Sequence, residues 1–431
     1  MNLLKLRVTK SGKKKLNARF EALRAKHPLY WLKFLVFFSL VGFVGYQSAI
    51  HAIANIVWQQ NPDLALRLVP GHPLALSLKA DVQFVESQQP ASLDKVEKMA
   101  AQSLEGQLLN PVAVRLLGYV ADARREEQKA SALLRLANRI SRRDFGTQLW
   151  LLEDAVKRGD KRQALYHYDI AMRTTPTSHQ VLFPTLIGAL TDPDVRAGLP
   201  LYIRQLPDWA PGFISEAINT SDDLSSLVDF LISVGPLPGM PEYKSLSNSL
   251  LLRLAAKSQF ADFQRYYLSL PGSISVTLWS AGLDRSTVSL RYPAAGWQLV
   301  DNPVIGGSFL PANRTGQHQL SVFAGSGERG ELMRKYLFLR PGAYRFAASY
   351  DGNDRSNEGA IRWEMQCLSA KENRVVWSAT TPVSKGRLAT VQTFSVGIDC
   401  PNQMLMLQLA GGSSQTGAEL TLRSVVIASR Q

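Results

Sequence analysis

The chain has 431 residues, a formal net charge of +14 and two cysteines, and its length is sufficient for two domains. Residues 1–33 contain ten Lys or Arg and one acid, Glu21, so they contribute 10 − 1 = +9 of this charge and the rest of the chain contributes +5. The charge is therefore concentrated in an N-terminal segment that has no nucleic-acid-reading motif, and we exclude nucleic acid as the expected partner.

Residues 34–57 contain no Asp, Glu, Lys or Arg. A helix of this length crosses a hydrocarbon core of about 30 Å, and Trp31 and Trp58 flank it where interfacial aromatic residues belong. The basic residues before it predict a cytoplasmic N-terminus and C-terminal domains on the far side. We therefore expect a single-pass protein of the inner (cytoplasmic) membrane, with a basic tail at 1–33, a transmembrane helix at 34–57 and periplasmic domains.

Two alternatives exist for this segment. The small residues Ala52 and Ala54 could belong to the cleavage site of a signal peptide, and the apolar run could be a buried core helix. The long basic leader and the length of the run favour the uncleaved anchor. The second half of the run has four polar residues on one helix face, which we expect at the far membrane interface or, alternatively, against another membrane protein: Gln47, Ser48, His51 and Asn55.

Residues 59–271 are predicted to be helical, because apolar residues recur at spacings of three and four. A period of 34 residues relates positions around 118–142 to positions around 152–176. The string LWLLEDAVKRGDKRQALYHYDIAMRTTP, from Leu149 to Pro176, resembles a tetratricopeptide repeat, which has this period.

This resemblance implies a curved solenoid of helix-turn-helix units that binds proteins. It assigns Pro176 to the end of a helix and six further residues to helix packing: Gly118, Ala130, Ala137, Ala164, Tyr168 and Ala171. The alternative is that these helices only space the C-terminal domain from the membrane.

The composition changes at Pro271-Gly272, and residues 272–431 alternate and turn often. Short alternating segments separated by turn residues predict an antiparallel β-sandwich. The predicted strands are 287–292, 319–323, 334–339, 343–350, 360–367, 375–379, 392–397, 404–410 and 419–427.

The segments GWQLVD, YLFLRPGAYRFAASYDG, IRWEMQC and DCPNQMLMLQLAGG together resemble carbohydrate-binding-module-like jelly rolls of the galactose-binding type. The resemblance implies non-catalytic sugar binding. Sugar rings stack on exposed aromatic side chains, and Trp297, Trp377 and Tyr350 lie near predicted strand ends or loops, so they are the glycan-binding candidates. Trp363 and Tyr344 alternate with core residues and are predicted to be buried.

Cys367 and Cys400 are predicted to form a disulfide in an oxidising compartment, which would close a loop of about 34 residues and contribute roughly 3–4 kcal/mol. An oxygen-rich loop with Asp351, Asn353 and Asp354 is a weak calcium candidate, and we prefer a solvated turn. The G-x-G-x-x-G match at residues 325–330 is predicted to be a hairpin loop, because a strand rather than a helix follows it.

The sequence contains no H-E-x-x-H and no G-x-S-x-G motif, so we expect no cofactor and no enzymatic activity. The chain is predicted to be a periplasmic accessory or scaffold protein of cell-envelope or exopolysaccharide assembly. Its helical repeats would bind envelope or polysaccharide-assembly proteins, and its sandwich would bind polysaccharide. The alternatives are a protein-only scaffold of another envelope complex and a glycan-processing enzyme.

Overall fold

The structure is a computed structural model. It describes residues 28–430 except 88, 238–239, 285–290, 301, 313–315, 353–358, 370–372 and 414–416, and at 28–30, 241, 242 and 244 it describes the backbone only. Most of the predicted basic tail, most of the predicted strand at 287–292 and the candidate calcium ligands Asn353 and Asp354 lie outside the described residues.

The N-terminal apolar segment is one helix, α1, Pro28–Val57. The helix begins six residues before the predicted span. A charged residue such as Lys33 ends an apolar run but does not end a helix, and proline is favoured in the first helical turn, where Pro28 lies. The part from Trp31 to Val57 is long and apolar enough to cross a membrane, which is also true of a signal sequence. The core-helix alternative is wrong, because none of its most apolar stretch is buried in the chain.

The last turns of α1 belong to the folded part of the chain. Ala54 is fully buried with Ala65 of α2 (Pro62–Leu68) and Ala75 of α3 (Pro73–Glu86). His72 Nδ1 accepts a hydrogen bond from the Ala75 backbone N–H at 3.2 Å and thereby caps α3. The other ring nitrogen, Nε2, then carries the proton and donates to Asn55 Oδ1 at 3.0 Å. One polar residue of the predicted interfacial face, Asn55, therefore has its partner within the chain.

Five more helices follow, and prolines begin two of them, at Pro90 and Pro111, because the first turn needs no backbone N–H. Asn110 shows the accompanying cap, since its Oδ1 accepts from the N–H groups of Val112 and Ala113. These helices are α4 Pro90–Gly106, α5 Pro111–Ala123, α6 Glu127–Ile140, α7 Phe145–Lys157 and α8 Lys161–Thr174.

The residues that the 34-residue period assigns to packing are buried. Gly118 of α5 lies against Leu134 of α6, where an added Cβ would be 2.6 Å from Leu134 Cγ. The remaining small and aromatic positions are buried on α6 and α8, and Pro176 follows the end of α8 in a 3₁₀ turn. Membership of the tetratricopeptide family stays a prediction. The buried positions are Ala130, Ala137, Ala164, Tyr168 and Ala171.

The later helices are less regular than a repeat array, and two of them have only six and four residues. Pro200 follows Pro193 by seven residues and limits the length of the helix that Pro193 begins. These helices are α9 His179–Gly188, α10 Pro193–Gly198, α11 Pro200–Ile203, α12 Ala210–Thr220, α13 Leu224–Val234, α14 Pro241–Ala256 and α15 Phe260–Ser269.

The chain divides into two compact units between Asp154 and Ala155, whereas the composition changes at Pro271-Gly272. The helices after residue 155 share a unit with the sandwich. Aromatic packing accounts for this: the ring centroid of Phe263 on α15 lies 6.0 Å from that of Tyr336 and 5.8 Å from that of Phe338. The change of composition marks the switch from helix to strand rather than a boundary between compact units.

The C-terminal region is an antiparallel sandwich of two five-stranded sheets, as predicted. One sheet has the order β1-β4-β9-β6-β7 and the other β2-β3-β10-β5-β8. The glycine motif at 325–330 is the connection between β3 and β4 and the start of β4. A strand follows it, as predicted, but the predicted hairpin is wrong, because β3 and β4 belong to different sheets and do not pair. The strands are β1 Gln298–Leu299, β2 Ile305–Phe309, β3 Leu320–Ala324, β4 Arg329–Leu337, β5 Gly342–Gly352, β6 Ala360–Cys367, β7 Arg374–Pro382, β8 Gly386–Val396, β9 Gln403–Ala410 and β10 Ala418–Ser429.

Alternate residues of these strands form one apolar core, which contains a single lysine among large side chains. Lys335 of β4 is fully buried because it pairs in register with Leu405 of β9, on the core face of the sheet. Its Nζ donates to the Ala295 carbonyl oxygen at 3.2 Å. Burial lowers the pKa of Lys335 to about 7, and the nearby carboxylate of Asp284 opposes this shift.

We predict that Gly118→Ala lowers the melting temperature of the full chain. An exposed helical Gly→Ala change usually gains about 0.5–1 kcal/mol, but here the new methyl group meets buried Leu134, and overpacking costs about 1–3 kcal/mol. Thermal unfolding followed by circular dichroism in a neutral detergent measures the effect. The control is Gly71→Ala, where no atom lies within 4 Å of the added Cβ. Equal melting temperatures for Gly118→Ala and wild type would contradict the α5–α6 packing.

We also predict that stability rises with pH above about 7 because of Lys335. Its folded-state pKa is about 7 against 10.5 for the free side chain, so between these values the unfolded chain binds a proton that the folded chain does not. Lys335→Met should raise the melting temperature at pH 7 and reduce the rise between pH 7 and 9. The exposed Lys385→Met is the control. Identical pH profiles for the two variants would refute a buried, pKa-shifted Lys335.

Candidate functional site

A groove of about 540 Å³ lies where α15, the segment after it and one end of the sandwich meet. This volume is in the range of small-molecule binding sites. The groove contains two aromatic rings that are at least partly accessible, and polar groups at its rim. Its lining consists of Gln264, Trp279, Phe338, Leu339, Arg340, Tyr344, Ile427 and Ser429.

Trp279 is the most exposed aromatic side chain of the groove, with 43% of its surface accessible. It follows the 3₁₀ turn Ser275–Leu278, and its backbone N–H donates to the Val276 carbonyl. The turn is fixed from two sides: Leu278 is fully buried, and its carbonyl oxygen accepts a 2.8 Å hydrogen bond from Phe338 N–H. A rigid backbone therefore presents an accessible indole ring.

Tyr344, at the start of β5, forms the second aromatic surface. Its ring stacks on Phe394 of β8, with centroids 5.6 Å apart and planes inclined by 21°. The hydroxyl group donates to the Arg340 carbonyl oxygen at 2.8 Å. Both the ring and the loop before β5 are thereby held in place, although the side chain stays half-buried rather than fully buried.

The loop between β4 and β5 is clamped by a buried amide. Gln403 at the start of β9 is fully buried, and its Oε1 accepts from Leu339 N–H at 2.8 Å while its Nε2 donates to the Leu339 carbonyl at 3.4 Å. The Gln403 side chain thus forms hydrogen bonds with both the backbone N–H and the backbone carbonyl of Leu339, which lines the groove. The clamp sets the position of the next residue, Arg340.

Arg340 is exposed at the rim and forms no ion pair with any residue that the structure describes. Together with Gln264 and Ser429 it supplies hydrogen-bond donors around the aromatic surfaces. Apolar ring faces ringed by a few fixed polar groups suit a ligand with both C–H faces and hydroxyl groups. Among the residues that the structure describes, no carboxylate, histidine or cysteine side chain lines the groove.

The three glycan-binding candidates from the sequence lie elsewhere, inside the sandwich core. Trp297 is 6% exposed, Trp377 is 7% exposed and Tyr350 is fully buried. A sugar ring cannot stack on faces that other side chains cover, so the prediction that these residues form a binding platform is wrong. Their expected positions near strand ends or loops led us to expect exposure, but Tyr350 and Trp377 lie within β5 and β7 with their side chains in the core.

The contacts of these three residues show their structural role. The Trp297 ring packs edge-on against Trp363 at 6.2 Å, and its Nε1–H donates to the Gly282 carbonyl. Trp377 packs against Phe346 at 4.9 Å, and the Tyr350 hydroxyl shares a 2.7 Å hydrogen bond with Thr390. Trp279 was not among the candidates from the sequence. One feature of the sequence could have indicated its exposure: it follows the change of composition, in a segment without strand alternation.

The disulfide prediction is confirmed, because Cys367 at the end of β6 is bonded to Cys400 just before β9. A polar depression beside it is lined by Ser369, Asn373 and the exposed Arg374–Asp399 ion pair, with no aromatic surface. Of the calcium candidates, Asp351 lies in β5, and its carboxylate is paired with Arg423 and lies near Arg387.

No known family model matches the chain, and no curated protein matches it in sequence. Solved structures match about a third of it, and they include carbohydrate-binding modules. TmCBM61, in complex with β-1,4-galactotriose, is 10% identical over 31% of this chain and 88% of its own, with a TM-score of 0.24. The N-terminal cellulose-binding domain of Cellulomonas fimi β-1,4-glucanase C is 16% identical over 29% of this chain and 90% of its own, with a TM-score of 0.21.

A putative sugar-binding protein from Bacteroides thetaiotaomicron is 6% identical over 32% of this chain and 88% of its own, with a TM-score of 0.24. At these identities and TM-scores, none of the three structures assigns a ligand to this chain.

Proposed function

We propose that this chain is a non-enzymatic accessory protein anchored in the inner membrane, with its folded domains in the periplasm. Its sandwich binds glycan in the Trp279 groove, and its helical repeats bind proteins of cell-envelope or exopolysaccharide assembly. The observation that carries the proposal is the accessible indole of Trp279 on a fixed backbone, inside a groove with a second aromatic ring and polar rim groups.

The expected glycan interaction is weak. Two aromatic surfaces and a few hydrogen bonds that compete with water supply about 4–6 kcal/mol, which corresponds to Kd values from roughly millimolar to tens of micromolar. Weak binding suits a polymer that must move past the protein. Hydrolysis of a glycosidic bond usually needs a pair of carboxylates across the bond, and the side chains that line this groove supply none.

Two features support the uncleaved anchor. Ala54 contributes to the core with α2 and α3, and Asn55 accepts the hydrogen bond of the helix-capping His72. Cleavage after Ala54 would separate Ala54 from this core, so the end of α1 serves the fold as well as the membrane span.

A separate feature supports the periplasmic location. The disulfide between Cys367 and Cys400 is typical of domains that lie outside the cytoplasm.

The glycan test uses the full chain in neutral detergent and the exopolysaccharide of the host strain, partly depolymerised. Saturation-transfer NMR should show transfer to sugar protons with the wild type and at least a threefold loss with Trp279→Ala, since a stacking residue contributes about 1 kcal/mol. Phe323→Ala is the matched control, because Phe323 is 41% exposed but lies on β3 outside the groove. Equal transfer in all three proteins would refute binding at Trp279.

The topology test places a reporter after Gln431. The basic residues before α1 predict that a reporter active only outside the cytoplasm is active there. A second fusion at the same position, with a reporter that works only in the cytoplasm, should be silent. The reverse pattern would exclude a periplasmic sandwich and the proposed function with it.

A further inference from the structure

The first compact unit contains a second groove, formed by α3, α5 and α7. Its volume is about 220 Å³, and its lining includes three aromatic rings, Phe84, Tyr119 and Trp150, and two carboxylates, Asp122 and Glu153. It therefore combines an aromatic floor with acidic groups, whereas the Trp279 groove has an arginine at its rim.

The aromatic and acidic residues follow the same order on two helices. Asp122 comes three residues after Tyr119 on α5, and Glu153 comes three residues after Trp150 on α7. Residues three apart are neighbours on a helix surface. Each helix thus places one carboxylate beside one ring, and both pairs open into the same groove.

The aromatic floor is fixed before any partner arrives. The Tyr119 hydroxyl donates to the Gly146 carbonyl at 2.7 Å, and its ring centroid lies 5.2 Å from that of Phe84. Burial raises the pKa of Tyr119 to about 12, so the hydroxyl keeps its proton near neutral pH. Preorganised rings lose little conformational entropy when a ligand binds.

Arg115, the cation that contacts the Tyr119 ring, is already paired with other acids. Arg115 lies 5.1 Å from the Tyr119 ring centroid and is almost fully buried. Its two terminal nitrogens bond the carboxylate oxygens of Asp81 at 2.9 and 3.0 Å, and its Nε lies 2.9 Å from Asp144 Oδ2 without hydrogen-bond geometry. Arg115 is therefore committed to Asp81 and Asp144.

The two groove carboxylates have no such partner. Asp122 is half-buried and Glu153 is exposed, and neither forms an ion pair with any residue that the structure describes. A cation that entered the groove would meet both carboxylates and the Trp150 ring, and aromatic rings attract cations. The volume is below the 300–1,000 Å³ typical of small-molecule sites, and it suits a single long side chain.

We propose that this groove binds a lysine or arginine side chain from an extended segment of a partner protein. The proposal rests on the proposed function in one respect, namely that the helical repeats receive a protein. The new element is that the bound segment of the partner protein is basic. Asp122 and Glu153 select the positive charge of its side chain, and Tyr119 and Trp150 contact the rest of that side chain.

The test titrates the full chain, in neutral detergent, into fluorescein-labelled tetra-arginine peptide and follows fluorescence anisotropy. Tetra-glutamine peptide is the uncharged competitor. Glu153→Gln and Asp122→Asn should each weaken tetra-arginine binding by about three- to tenfold, since tenfold corresponds to 1.4 kcal/mol. Glu105→Gln is the matched control, an exposed acid at the end of α4 outside the groove, and it should bind as the wild type does.

Three results would overturn the proposal. If both groove variants bind like Glu105→Gln, the carboxylates do not select the ligand. If tetra-arginine does not bind, or if tetra-glutamine competes as well as unlabelled tetra-arginine does, the groove does not select a basic segment. If a chitosan tetramer displaces the peptide at lower concentration than tetra-arginine does, the groove belongs to a cationic sugar. Glycan binding by Trp279 is measured separately and is independent of all three.

Discussion

The stacking of Phe263 on Phe338 connects the parts that build the Trp279 groove. The two ring centroids are 5.8 Å apart and the rings are inclined by 27°, so the contact joins α15 to the loop after β4. The backbone N–H of Phe338 also holds the 3₁₀ turn that carries Trp279. The Phe263–Phe338 contact and the Phe338 N–H hydrogen bond therefore bring the helix, the turn and the loop together at one residue.

Each compact unit buries a basic side chain, Arg115 in the first and Lys335 in the second, and the surroundings of the two differ. Arg115 is compensated by two carboxylates, which fixes its orientation and that of Tyr119. Such pairs contribute little net stability because desolvation offsets the attraction, so we regard their role here as positioning. Lys335 Nζ donates to a backbone oxygen, and burial lowers the pKa of Lys335 although the nearby carboxylate of Asp284 opposes the shift.

The two grooves use aromatic side chains with opposite charges at their edges. Arg340 borders the groove of the sandwich, and residues 272–431 carry 16 Lys and Arg against 11 Asp and Glu, a net of 16 − 11 = +5. Asp122 and Glu153 border the helical groove. The carboxylates of the helical groove attract a basic ligand and Arg340 repels one, so the two grooves differ in the ligand charge that they favour.

The sequence alone determined the features that depend on local pattern. Uninterrupted apolar residues specified α1, helical spacing specified the helical region, alternation and turn residues specified the antiparallel sandwich, and two cysteines could pair only with each other. It did not determine which aromatic residue faces solvent. Trp297 and Trp377 were expected at an edge and are core residues, while Trp279 is exposed. Exposure depends on which elements pack over a residue, and that is decided by contacts far apart in the chain, such as Phe263 with Phe338. For the same reason only the tertiary structure placed α15 in one unit with the sandwich and brought Tyr119 and Trp150 to one groove.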